Sequence, residues 1–103
     1  MYSQLANSDQ QIPILVTSRF GTNPTTTTVT FAVVARGAAA PAPASVTLAA
    51  SWYTDSTGLF WALCACGPTS PYVPTVNTTM DLYIKFTVGG NTVLLGPNTA
   101  QFT

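Results

Sequence analysis

Side-chain character alternates with a period of two along most of this chain. That period allows little besides half-buried strands, because successive residues of an extended backbone point to opposite faces. The cleanest run sets Met80, Leu82, Ile84, Phe86 and Val88 against Asp81, Tyr83, Lys85 and Thr87. Ile12, Ile14 and Val16 alternate with Pro13, Leu15 and Thr17, and a proline near the start of a strand suits a sheet edge. Residues 27–36 place Val29, Phe31 and Val33 on one face and Thr28, Thr30, Ala32 and Val34 on the other. Val46, Leu48, Ala50 and Trp52 share a face of the next strand.

Residues 59–66 are apolar on both faces: Leu59, Trp61, Leu63 and Ala65 against Phe60, Ala62, Cys64 and Cys66. Such a strand is central in a sandwich or covered by a neighbouring subunit. The breaks between strands carry turn chemistry. Residues 21–24 form a turn cluster, and Asp55-Ser56-Thr57-Gly58 is a tight turn. Gly89-Gly90 or Gly90-Asn91 reverses the chain into residues 92–95, Gly96-Pro97 interrupts the run, and 99–103 form a short terminal strand. Residues 37–45, GAAAPAPAS, read as a semi-extended surface connection, because Pro41 and Pro43 oppose the helix that alanine favours. No ten-residue segment has helical periodicity.

With 103 residues the chain makes one domain. Six or seven short strands with a turn roughly every 8–14 residues predict an all-β fold, an immunoglobulin-like antiparallel β-sandwich of about seven short strands. The sandwich is expected over residues 12–103. Residues 1–11 are expected to be a polar N-terminal arm, too hydrophilic for the core and able to order on an adjacent subunit.

Charge narrows the function. Only 6% of residues are charged, where about 25% is usual. They are Asp9, Arg19, Arg36, Asp55, Asp81 and Lys85, summing to zero, and the chain has no histidine and no glutamate. A basic nucleic-acid-binding surface is excluded, because phosphate neutralisation needs clustered lysine and arginine. Triads that need histidine cannot be built, no phosphate-cradling glycine loop occurs, and the three aspartates stand in no catalytic context. Two cysteines without histidine make a poor zinc site, and three scattered aspartates a poor calcium site. A bridge between Cys64 and Cys66 would distort a strand, so both are expected to be buried free thiols, in keeping with a reducing cytoplasm. The expectation is a non-enzymatic protein without cofactor or metal. No apolar stretch reaches the ~18 residues of a membrane helix, and no secretion signal is visible at the N-terminus. Asn77-Thr78-Thr79 fits a glycosylation pattern, which reflects threonine-rich composition when no such signal is present.

The second half carries a longer pattern. Ser51-Trp52-Tyr53-Thr54-Asp55-Ser56-Thr57-Gly58-Leu59-Phe60-Trp61-Ala62 leads through Leu63-Cys64 to Gly67-Pro68. Asp81-Leu82-Tyr83-Ile84-Lys85-Phe86-Thr87 follows, and Gly96-Pro97-Asn98-Thr99-Ala100-Gln101-Phe102-Thr103 closes the chain. Over residues 46–103 this resembles small β-sandwich virion proteins of tailed bacteriophages, especially those infecting actinobacteria. Residues 37–45 and the threonine run 25–28 are not part of that pattern. The resemblance implies a structural virion component assembled in the host cytoplasm, most simply a capsid decoration protein bound to the outside of the major capsid shell. A head-to-tail connector, neck or tail position is the alternative. Partners would be the major capsid protein or neighbouring virion subunits, with homo-oligomers inside the particle and no nucleic acid or membrane.

Physics agrees with an assembly role, since a nearly uncharged surface that is awkward in a free monomer becomes interface in a shell. Tyr2, Arg19, Arg36, Tyr53, Tyr72 and Tyr83 are the candidate interface residues. Trp52 and Trp61 are assigned to the core, and Asp81 with Lys85 to a weak solvent-side pair. The alternative from another class is a carbohydrate-binding module stacking sugars on the remaining surface rings.

Overall fold

The computed structural model of the chain describes residues 2–16 and 27–103. Eight strands form there: β1 (Tyr2–Gln4), β2 (Gln10–Val16), β3 (Thr30–Ala35), β4 (Leu48–Ala49), β5 (Ser51–Thr54), β6 (Phe60–Cys66), β7 (Thr78–Val88) and β8 (Asn91–Phe102). One sheet has the order β1-β8-β7-β3-β4 and the other β2-β6-β5. Neighbours are antiparallel except β1, which runs parallel to β8 with Tyr2 opposite Ala100 and Gln4 opposite Phe102. The architecture is all-β and sandwich-like.

The alternation explains why two sheets share one core. Ile12, Ile14 and Val16 of β2 and Ala62, Cys64 and Cys66 of β6 meet Phe31, Leu82, Ile84, Phe86, Ala100 and Phe102 of the larger sheet. Burying a side chain such as Phe31 or Phe86 stabilises the fold by about 1.5–3 kcal/mol. Val46, Leu48, Ala50 and Trp52 do share the core-facing side. Their run crosses from one sheet to the other at Ala50, whose N–H reaches the Val29 carbonyl at 3.2 Å. Trp52 closes that crossing, packing edge-on to Phe86 with ring centroids 5.4 Å apart and donating its indole N–H to the Thr27 carbonyl at 2.7 Å.

Several placements differ from the sequence reading. Residues 2–11, expected as an arm outside the core, supply an edge strand, and Gln4 and Ala6 are buried. The Gln4 amide donates to the Cys66 carbonyl at 2.9 Å and to Ser8 O at 3.3 Å, so a polar side chain is accepted inside. Gly96-Pro97 does not end a strand but bulges within β8. Leu82 faces Asn98 and Ile84 faces Leu95, so two residues oppose Tyr83 alone. The Tyr83 ring lies against Gly96, where a Cβ would collide with it and with the Leu82 carbonyl. Tyr83 is therefore buried rather than a surface ring. Asp81 is also buried, accepting from the Gly37 N–H at 2.9 Å and the Thr99 hydroxyl at 3.0 Å. Lys85 turns instead to the Pro43 carbonyl at 2.8 Å, so the expected Asp81–Lys85 pair is not made. The turn expected at 21–24 lies outside the described residues.

Candidate functional site

The outward face of the three-stranded sheet carries a row of apolar side chains, and its order follows from strand register. Trp61 of β6 stands between Leu15 of β2 and Tyr53 of β5, and in the next row Leu63 stands between Pro13 and Ser51. Directly opposed side chains have Cβ atoms about 4.5–5.5 Å apart, so the first row is one continuous ridge of leucine, indole and phenol. Leu15 is 39% exposed, Tyr53 53% and Leu59 36%. Pro13, Tyr53, Asp55, Trp61 and Leu63 enclose a shallow depression of about 430 Å³. Trp61 had been assigned to the core. The structure gives the core-facing side of β6 to Phe60, Ala62, Cys64 and Cys66, which turns Trp61 outward.

Asp55 fixes the end of this ridge. Its Oδ1 accepts from the Thr57 N–H at 2.9 Å, the Thr57 hydroxyl at 2.6 Å and the Leu59 N–H at 3.0 Å, and its Oδ2 accepts the Trp61 indole N–H at 2.8 Å. The Thr57 hydroxyl above all, then the indole, hold the carboxyl down to about 2. The site therefore carries one fixed negative charge beside an aromatic pair.

A second concavity of about 460 Å³ opens on the other side of Pro13, where the seam between the sheets meets the surface. Tyr2, Ile12, Pro13, Ile14, Arg36, Pro97, Asn98 and Thr99 line it. The Tyr2 hydroxyl donates to the Gln11 carbonyl at 3.4 Å, across the edge of β2 that faces away from β6. Backbone groups along a strand point alternately to either side, so Pro13, two residues on, turns its nitrogen to that same edge.

The six candidate interface residues separate accordingly. Tyr53 lies on the apolar ridge, and Tyr2 and Arg36 come together in the seam groove. Tyr72 is half-buried against Phe102, ring centroids 5.8 Å apart, and its burial raises the phenol above its ordinary value. Tyr83 is buried, and Arg19 lies outside the described residues. Pro13, Leu15, Asp55, Trp61 and Leu63 were not picked out from sequence. The signal for Pro13 and Leu15 was present, since both occupy the phase opposite to Ile12, Ile14 and Val16.

Cys64 and Cys66 are free and buried, and burial pushes each thiol up to about 12, so neither is a nucleophile near neutral pH. Among the described residues no three histidine, cysteine or acidic side chains gather closely enough to hold a metal ion. Comparison with family models, curated proteins and solved structures finds no match for this chain.

Proposed function

We propose that this chain is a non-enzymatic structural subunit held in a larger assembly through the outward face of β2, β6 and β5. The observation that carries the reading is the ridge of Leu15, Trp61 and Tyr53, an aromatic and aliphatic row left open to solvent. Buried aromatic anchors of this kind supply most of the energy at protein interfaces. The near absence of charge supports the same reading, since the surface has little else to keep isolated copies apart.

The assembly is the particle of a tailed bacteriophage, on the strength of the sequence pattern over residues 46–103, and the position is decoration of the outer capsid surface. We read the topology as immunoglobulin-like. The order β2-β6-β5 corresponds to the B-E-D sheet of that fold, and β8-β7-β3-β4 to G-F-C-C′, with β1 beside the last strand. Quantitative gels of purified particles test the function. Decoration requires many copies per particle, a neck or connector position a single ring, and absence from particles overturns the proposal. Leu15→Ser with Tyr53→Ser, both at exposed positions, is expected to empty the particles of this protein while leaving its fold intact.

A glycan-binding role is favoured by one observation alone, the Tyr53–Trp61 pair beside the Asp55 carboxylate. Titration with sugars, read by tryptophan fluorescence, tests it: saturable quenching in the wild type that Tyr53→Ser abolishes would replace docking by this reading.

A further inference from the structure

We infer that the neighbour at this face is a second copy of the chain, joined by a two-fold contact centred near Pro13. The inference rests on the docking role proposed above and names the partner. Its starting point is where the few charges go. Asp9 accepts from the Thr69 N–H at 3.0 Å, the Thr69 hydroxyl at 2.5 Å and the Ser70 hydroxyl at 2.7 Å, and it lines a separate concavity with Gln10, Gln11, Ala65 and Ser70. Asp81 is buried and satisfied by Gly37 and Thr99, and Lys85 is bonded to the Pro43 carbonyl.

Among the described residues, the two charges that line the concavities on either side of Pro13 are opposite in sign. Arg36 is exposed, lines the seam groove, and makes no hydrogen bond or ion pair with another described residue. Asp55 is ionised at the rim of the aromatic depression, and its Oδ2 takes only the indole N–H, which leaves acceptor capacity. Arginine is the cation suited to this depression, because a guanidinium stacks on tyrosine or indole faces while bonding a carboxylate.

Geometry favours a second copy over an unrelated cation. Pro13 lines both concavities, so the groove bearing Arg36 and the depression bearing Asp55 are adjacent patches of one surface. In an isologous contact each patch meets its complement on the partner. An axis passing near Pro13 brings Arg36 of each copy to the Tyr53–Asp55–Trp61 depression of the other. The two patches together span the side of the molecule from β5 across β2 to β8. The formal net charge is zero, so two copies approach without overall repulsion.

Sedimentation velocity on the purified chain tests this. The wild type is expected to dimerise reversibly, more weakly as salt is raised. Arg36→Glu should weaken dimerisation at least about tenfold, with Arg36→Lys retaining part of it. Tyr53→Ala, in the opposite patch, should match the loss, and unchanged melting curves would exclude unfolding as the cause. A wild type that stays monomeric at all attainable concentrations, or an Arg36→Glu chain that dimerises like the wild type, overturns the inference. Particle content is read separately. A chain present in particles whose association ignores Arg36 keeps the proposed function and loses the dimer, whereas a chain that dimerises through Arg36 but is missing from particles does the reverse.

Discussion

The indole N–H of Trp61 lies 2.8 Å from Asp55 Oδ2, tying the start of β6 back to the turn that precedes it. The same carboxylate closes that turn through Thr57 and Leu59, so one side chain sets both the hairpin and the outward pose of the central ring of the apolar face.

Acid should therefore loosen this hairpin late. Asp55 titrates near 2 in the folded chain, below its ordinary 3.8, so its contribution to stability is complete above about pH 4 and disappears as pH falls through 2. Asp9, also lowered, chiefly by the Thr69 hydroxyl, acts with the same sign. Asp55→Asn is expected to reduce the melting temperature at pH 7 and flatten its dependence between pH 4 and 2. Trp61 fluorescence followed through an acid titration checks this; an unchanged slope in the variant would remove the role given to Asp55.

The thiols should be silent until the chain unfolds. With Cys64 and Cys66 both raised to about 12, a thiol reagent at pH 8 is expected to label neither in the native protein and both in denaturant. Above about pH 9 the unfolded thiols ionise while the folded ones do not, so stability declines from there towards pH 12. Mass spectrometry after alkylation gives the first result, and denaturant melts at pH 8 and 10.5 the second. Rapid native labelling would contradict the burial.

Gly96 cannot carry a side chain without moving Tyr83. Gly96→Val is expected to cost about 1–3 kcal/mol by overpacking, with each kcal/mol worth roughly 4–8 °C of melting temperature at this size. Tyr83→Ala in the same chain should give a combined loss smaller than the sum of the two, because the ring collision is shared. The Leu82 carbonyl remains in the way, so relief is incomplete. Additive losses in a double-mutant cycle would show that the two do not touch.

Gln4 tests whether the first residues belong to the domain. Gln4→Ala deprives the Cys66 carbonyl of its donor, a loss of about 1–3 kcal/mol. Removing an Oε1 that is buried without a partner offsets part of it. A frayed arm would register less than about 0.5 kcal/mol in the same urea melt.

Strands and their core-facing sides were legible where alternation was clean. Ile12, Ile14 and Val16, and Leu82, Ile84 and Phe86, face inward as their alternation requires. Legibility failed where local pattern carried no vote. Residues 59–66 are apolar in both phases, so the outward side of Trp61 is settled only by register with β2 and β5. Tyr83 and Asp81 looked solvent-side because their neighbours in sequence alternate well. The bulge at Gly96 and the Gly37 N–H, 44 residues away, bury them. Gln4 looked too polar for an interior, and its partner at Cys66 lies 62 residues further on.

Among the described residues no strand pairs with the edge of β2 that faces away from β6, and this carries one more consequence. A chain this poor in charge, with a seven-residue strand at the border of a sheet, is of the kind that grows into fibrils by adding strand to strand. Pro13 sits mid-strand with its ring nitrogen turned outward, so an incoming backbone finds a rung missing at the centre of the ladder. Copies that meet there are steered into contact through side chains, which ends at a finite complex rather than an endless ribbon.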